Sequence, residues 1–456
     1  MYRLFFLPLF FCIACQSPPD KPVSKKEQDF LSVLSDAYIF AYPLVLMDLT
    51  RKYAEKQERK PSPNLFFHHR HFPDPTFKMV VKPNLDTYYS TAWLNLKEQP
   101  VVLSLPKTDR YFLVPLYDAW TNVFAAPGTR TTGAEARDFL IAGPHWKGIV
   151  PDGMQLYRSP TNMVYAIGRI QVNNPEDGSN VVTQIQDRLA LTPLDQWTRK
   201  DKYTANDLKL PLNIPPPKEQ LKKLRVDSFF NLFNRLLEDN PPYPTDQKQL
   251  SLMKVYGIGS GKHFSLANFP DSLQERILQI PIKTHQGFPK LYKAELINGW
   301  RTLMGLADYG IDYKKRAFVA HFGLGANWSE DTVYPTSVLD AEGTPFHGKN
   351  NYRLHFPKGQ LPPAQAFWSI TMYNAQYFLV PNPIDRYAIG DRDDLLVNED
   401  GSLDIWIQHE SPAPEKRKNW LPAPKETFTL TLRIYWPEER VLTANWNVPP
   451  VEKINQ

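Results

Sequence analysis

A chain of 456 residues is longer than one hydrophobic core usually serves, so two domains are expected, each able to bury its own interior. Its 53 basic residues outnumber 48 acidic ones by a net +5 and form no stripe, which excludes the electrostatic footprint of a nucleic-acid binder. Aromatic residues at 13% and 43 prolines suit strands joined by rigid loops rather than long helical bundles.

Arg3 and the apolar run Leu4 to Ala14 are too short to span a bilayer and have the make-up of a secretory signal, predicted over residues 1–14. The run ends Ala14-Cys15, a small residue before a cysteine, which resembles the lipobox of bacterial lipoproteins, although Cys12 stands where an aliphatic residue is usual. The expectation is lipidation at Cys15, a polar tether over 15–26, and an exported, membrane-anchored lipoprotein facing the periplasm or cell surface. Cys12 and Cys15 are the only cysteines, so the body is expected to hold no disulfide and no thiol nucleophile or ligand.

Ser24 and Glu27 have capping-box spacing, and Phe30, Leu34, Tyr38, Ala41 and Val45 follow at helical intervals, so a helix begins near residue 25 and is expected to kink or end at Pro43. From Thr76 the pattern becomes short segments of period two over Val101–Leu105, Arg110–Asp118, Asp138–Ala142 and Met163–Val172. Residues 27–200 are therefore predicted to form a first sandwich. Residues 201–314 are predicted as a helical insertion, with Leu221, Leu224, Phe229, Leu232, Phe233 and Leu236 on one apolar stripe. After Lys315 alternation returns: Phe428, Leu430, Leu432 and Ile434 point one way and Thr429, Thr431, Arg433 and Tyr435 the other, as in a strand with one face on a core. Residues 315–456 make the second sandwich. The predicted fold class is thus mainly β with a helical insertion, two jelly-roll-like antiparallel β-sandwiches in a double jelly-roll arrangement.

The two sandwiches look duplicated. Lys82-Pro-Asn-Leu-Asp-Thr-Tyr-Tyr-Ser90 is echoed at Glu330-Asp-Thr-Val-Tyr-Pro335, and the strand ending Tyr117-Asp-Ala119 is echoed by the one ending Tyr373-Asn-Ala375. The first stretch, with Gly128-Thr-Arg-Thr-Thr-Gly133 and Arg158-Ser-Pro-Thr-Asn162, resembles the bacterial domain of unknown function 1254. Asn382-Pro-Ile-Asp-Arg-Tyr-Ala-Ile-Gly-Asp-Arg392, Asn419-Trp-Leu-Pro-Ala-Pro424 and Leu432-Arg-Ile-Tyr-Trp-Pro437 resemble its usual companion, the domain of unknown function 1214. The resemblance implies a double jelly roll with a helical insertion and no settled activity.

Polar residues at strand ends are the candidates for a site. Asp86 and Asp118 are the candidate catalytic carboxylates, Arg110 and Arg130 candidate anion clamps, Tyr89 and Trp93 aromatic contacts, and Arg386 and Arg392 further ligand-binding candidates. The competing reading is structural: Asp86 and its repeat Asp331 pin turns, and the arginines anchor loops. His68-His-Arg-His71 is a histidine cluster without the further ligands a metal needs, so neither metal nor cofactor is expected. Tyr256-Gly-Ile-Gly-Ser-Gly-Lys262 lacks the first glycine and the final hydroxyl of a phosphate loop, and Gly259-Ser-Gly261 lacks nucleophile-elbow spacing.

Three readings of function follow. The first is a lipoprotein, anchored in the membrane through Cys15, that binds a small molecule or glycan in a polar, aromatic sandwich pocket; the second is a hydrolase-like enzyme using carboxylates there. The third is a scaffold that forms homo-oligomers through its double jelly roll. A perturbed carboxylate in a pocket joining Asp86, Arg110 and Asp118 would mark the enzyme, an aromatic groove the binder, and flat apolar faces the scaffold.

Overall fold

The computed structural model describes residues 24–57, 63–78, 80–199 and 213–454. The apolar run up to Ala14, Cys15 and the tether as far as residue 23 lie outside the described residues.

The first described element is the helix Lys25–Gln57, started by the capping box: Glu27 N–H donates to Ser24 Oγ at 3.3 Å and Ser24 N–H to Glu27 Oε2 at 2.9 Å. At Pro43, where the sequence predicts a kink or an end, the helix does not end. Every residue from Ala37 to Asp48 is buried, so helices packed on all sides offset the hydrogen bond that the proline cannot make. Those neighbours are Pro217–Lys223, Val226–Asp239, Ile280–Leu291 and Tyr313–Gly323. Among the described residues this is the one helix long and apolar enough to cross a membrane, and 67% of its apolar window is buried inside the fold, as in a core helix.

The fold is mixed α+β with open sheets. In the N-terminal half a six-stranded sheet has the order Phe67–His68, Thr87–Asn95, Met163–Gln171, Leu116–Asp118, Val123–Ala125, with Phe112–Leu113 also on Met163–Gln171. Facing it is a four-stranded sheet ordered Ala190–Pro193, Val101–Leu105, Arg137–Ala142, Gln155–Arg158. Their shared core holds Leu94, Val164, Ala166 and Ile170 from one sheet and Val101, Leu103, Phe139 and Ile141 from the other.

The C-terminal half repeats this path strand for strand. Thr332–Val333 and Thr336–Ser337 pair with Phe428–Pro437, which pairs with Ala364–Asn374, then Ala388–Gly390. The small hairpin Leu296–Ile297 and Trp300–Arg301 extends that sheet. The facing sheet is ordered Val451–Ile454, Asn351–Phe356, Leu403–Gln408, Trp420–Pro422. In both small sheets the last two strands are parallel, because a long connection carries the chain back before it re-enters the sheet. The first strand of the repeat is broken at Pro335, which has no N–H to offer the ladder. Asp86 and Asp331 therefore precede equivalent strands, and the repeat shares its hydrogen bonds: Val172 N–H donates to Asp86 O at 2.9 Å, Trp436 N–H to Asp331 O at 2.8 Å.

The alternation in Phe428–Pro437 predicts one buried face, yet both are buried. Phe428, Leu430, Leu432 and Ile434 fill the C-terminal core. Thr429, Thr431, Arg433 and Tyr435 are buried on the opposite side, where the large sheets of the two halves meet. There Phe367 stacks on Tyr435 at 4.2 Å between ring centroids and meets Tyr111, its counterpart in the repeat, edge-on at 5.8 Å.

The polar contacts across this interface are reciprocal. Arg392 of the second half pairs with the fully buried Asp86 carboxylate and donates to Asp86 O at 3.1 Å and Val172 O at 2.6 Å. Arg130, which occupies the matching loop of the first half, donates from Nε to Asp331 Oδ1 at 2.6 Å. Likewise Arg169 reaches Gly325 O at 2.8 Å and Asn327 Oδ1 at 2.6 Å, while Arg433 reaches Lys82 O at 3.1 Å. Tyr117 and Tyr373 follow suit, donating to Gly325 O at 2.8 Å and Pro83 O at 2.7 Å. This is the isologous pattern of a two-fold dimer, built within one chain.

Candidate functional site

The sequence candidates scatter into three settings. Asp86, Arg130 and Arg392 belong to the interface pairs just described, and Asp86 also accepts from Ser369 Oγ at 2.8 Å. Arg110 holds Asp177 at 2.6 Å and Asp109 at 3.2 Å, and Arg386 clamps the carbonyls of Arg417, Lys418 and Trp420 at 3.0–3.2 Å, so both fix loops. Asp86, Arg110 and Asp118 are not brought together. His68 Nδ1 lies 2.8 Å from Ser90 Oγ, and among the described residues no three His, Cys, Asp or Glu side chains are grouped to hold a metal. The glycine-rich loop is closed by Asn234, whose amide donates to Gly257 O and Lys262 O, both at 2.9 Å, and accepts from Gly259 N–H at 2.7 Å.

Asp118 sits where the first sandwich meets the helices. Its Oδ1 accepts from Trp120 and Asn122 N–H at 2.8 and 3.0 Å, and its Oδ2 accepts from the Tyr243 hydroxyl. Burial pushes its carboxyl up to about 6, against the pull of those hydrogen bonds and of Arg316. Arg316 is itself fully buried, with its guanidinium 4.9–5.2 Å from the rings of Phe40, Trp120 and Tyr313. The charged groups at the centre of this cluster are closed off from solvent: Asp118 and Arg316 are both 0% exposed.

Half-buried polar and aromatic side chains gather elsewhere, along the seam between the two halves. Lys82, Asn84 and Tyr89 come from the segment leading into Thr87–Asn95, and Tyr334, Thr336 and Tyr377 from the second half. The register explains the meeting. Tyr89 stands opposite Arg169 across the first ladder, and Tyr334 opposite Arg433 in the continuing register of the second. Arg169 lies over the Tyr89 ring at 5.2 Å; Asn327 donates to the Tyr334 hydroxyl at 3.0 Å, and Asn84 to that of Tyr435 at 2.5 Å. Trp93 lies further along the same sheet face, stacked on Tyr165 at 4.2 Å.

Lys82 breaks the symmetry of this seam. Its backbone is in the left-handed region (φ 52°), costly for a residue with a Cβ, and is pinned from both sides: its N–H donates to Tyr377 O at 2.8 Å and its carbonyl accepts from Arg433. Its Nζ lies 3.2 Å from Thr336 Oγ1 and 4.8 Å from the Tyr377 ring centroid, with no carboxylate in ion-pairing distance among the described residues. Burial, helped by Arg433, holds the ammonium down at about 8. Among the described residues Arg169 and Arg433 also make no ion pair; their nitrogens meet carbonyl, amide and hydroxyl oxygens. The Tyr334 and Tyr435 phenols are pushed up by burial and stay protonated donors. Lys82, Arg169 and Arg433 thus have no carboxylate within ion-pairing distance among the described residues, although the charge of Asp86 reaches Arg433.

Sequence reasoning named Tyr89 here and missed Lys82, Arg169, Tyr334, Arg433 and Tyr435. A usable signal existed: an arginine occurs at the same place in the last long strand of each repeat, and in the second it lies on a side otherwise lined with Thr and Tyr.

The Asp118 carboxyl gives a pH prediction. Its folded value lies above the ordinary 3.8, so its contribution to stability is present in full below 3.8 and is lost as the pH rises through about 6. Asparagine keeps an oxygen for the Trp120 and Asn122 amides and does not titrate. In urea melts the stability of Asp118→Asn relative to wild type should therefore grow across that window, whereas parallel pH profiles would show that Asp118 is not a titrating buried acid.

Residues 63–193 match the family described as protein of unknown function (DUF1254), and residues 331–439 match protein of unknown function (DUF1214). Lys82, Asn84, Tyr89 and Arg169 fall in the first match, and Tyr334, Thr336, Tyr377, Arg433 and Tyr435 in the second. Among solved structures, the VPA0106 protein from Vibrio parahaemolyticus is similar over 93% of this chain and 100% of its own, with a TM-score of 0.69 at 23% identity, and so shares the fold. An uncharacterized protein from Burkholderia cenocepacia aligns over 94% of this chain and 96% of its own, at 11% identity and a TM-score of 0.46. No curated protein matches the chain. With both matches in N- to C-terminal order, the chain belongs to the proteins that carry DUF1254 and DUF1214 in tandem.

Proposed function

We propose that this protein is an exported, lipid-anchored binding protein that holds a small anionic molecule or acidic glycan in the seam between its two halves, each read as a jelly-roll-like sandwich. The observation that carries the reading is the half-buried Lys82 together with the buried Arg169 and Arg433, three cations with no carboxylate in ion-pairing distance among the described residues, bordered by the half-buried rings of Tyr89, Tyr334 and Tyr377. Aromatic faces suit the carbon skeleton of a ligand, and fixed donors its acid group. The carboxylate-enzyme reading draws less support, since Asp86 is committed to Arg392 and Asp118 is enclosed. The oligomeric scaffold draws no comparable feature, because the meeting of the two large sheets is made within the chain.

Anchoring through Cys15 belongs to the same proposal: labelled palmitate should enter the wild type and not Cys15→Ser, and equal labelling would sink it. For the seam, a panel of glucuronate, galacturonate, citrate and glycerol phosphate beside the neutral sugars would be read by thermal shift. A ligand at about a hundred times its Kd adds about 2.7 kcal/mol to stability. That gain should appear for an acid, not for its neutral counterpart, and should vanish in Lys82→Met and Tyr89→Ala. Stabilisation by neutral sugars alone, or an acid effect that survives both substitutions, would refute the site.

A further inference from the structure

We infer that Lys82 is a covalent binding residue: its amine condenses with the carbonyl group of the ligand, so the anion taken into the seam is one that also carries an aldehyde or ketone, such as a 2-oxo acid or an aldehydic sugar acid. This rests on the anion-binding reading above and adds a bond to it.

The geometry separates Lys82 from ordinary surface lysines. Among the described residues its nitrogen has a hydroxyl, Thr336 Oγ1, and an aromatic face, Tyr377, as its neighbours in place of a carboxylate. Its main chain is held in a left-handed conformation by a hydrogen bond on either side, so the side chain leaves the seam wall from a fixed point. Arg433, whose guanidinium donates to the Lys82 carbonyl, supplies positive charge beside it, which disfavours a second ammonium and favours an acid group nearby. The amine accordingly spends a far larger share of its time uncharged near neutral pH than an exposed lysine does, about three-hundredfold larger.

The step balances without a further reactant. The lysine nitrogen lone pair attacks the carbonyl carbon, a C–N bond forms, and the carbonyl π pair moves to oxygen. Two protons pass from nitrogen to that oxygen, for which Thr336 Oγ1 is the nearest relay, and the oxygen leaves as water. The product is an imine, and water reverses the reaction, so the step serves capture and release. The equivalent region of the second half has Gly325 and Asn327, with no lysine, so the repeat does not duplicate this amine.

The test uses glyoxylate, which joins a carboxylate to an aldehyde, with cyanoborohydride to fix the imine as a carboxymethyl-lysine located by peptide mass spectrometry on the wild-type chain. Lys82 should be modified at least about tenfold faster than the mean of the other lysines, as the larger free-amine fraction requires. Lys82→Arg should lose that fast phase. Modification spread over surface lysines with Lys82 unmodified overturns the inference. Glycolate, with the same acid and no carbonyl, and acetaldehyde, with no acid, separate the two claims. If glycolate stabilises the protein and Lys82 still fails to react, the imine is wrong and the anion site stands. If Lys82 traps acetaldehyde as readily as glyoxylate and glycolate does not compete, the imine stands and the anion reading falls.

Discussion

The arrangement depends on one exchange of charge. Asp86 and Asp331 stand at the same place in two copies of a strand, and each carboxylate is neutralised by an arginine from the other copy. A carboxylate removed from water costs several kcal/mol unless a partner with good geometry meets it, so neither half has a satisfactory buried surface alone. Arg169, Arg433, Tyr117 and Tyr373 extend the exchange by capping backbone carbonyls of the opposite copy, which would otherwise be buried without donors. The exchange is not perfectly even. Ser369 completes Asp86, whereas the matching residue Leu113 offers Asp331 no side-chain donor, and among the described residues Asp331 Oδ2 has no hydrogen bond.

Symmetry explains why polar residues are buried, and departures from symmetry explain where a ligand would go. Tyr89 and Tyr334 are paired by the repeat, as are Arg169 and Arg433. Lys82 has no counterpart, and the strand after Tyr334 is broken by Pro335 where its twin runs unbroken to Asn95. A duplicated scaffold thus fixes the cations, and one half contributes the single amine with a strained backbone. The helical body is joined to the same surface: Trp93, Tyr117 and Ile167 of the first large sheet pack into the core organised around the helix Lys25–Gln57.

Much of this was legible in the residues. The two Asp-Thr-x-Tyr segments and the Tyr-Asp-Ala and Tyr-Asn-Ala strand ends reported the duplication, because the strand order repeats around them. Ser24 and Glu27 reported the helix start. Other features depend on distance along the chain, which local patterns do not carry. Nothing near Asp86 announces a partner 306 residues away, so a charged residue at a strand end read equally as a pocket or a pin. Alternation in Phe428–Pro437 marks the apolar face and is silent on whether the Thr, Arg and Tyr side meets water or a second sheet. The left-handed backbone of Lys82 has no signature in a residue type that rarely adopts it, and burial of the helix around Pro43 is a tertiary effect that overrides propensity.

The central claim is that the two halves are one cooperative body because each neutralises the other's buried charge. Native-state hydrogen exchange of Arg392→Met against wild type tests it most directly, since the substitution leaves Asp86 buried without its cation and should cost about 3–5 kcal/mol. The account predicts that exchange rises together in Phe428–Pro437 and in Met163–Gln171, the long strands of the two halves. Faster exchange confined to the second half, with Met163–Gln171 protected as in wild type, would contradict it.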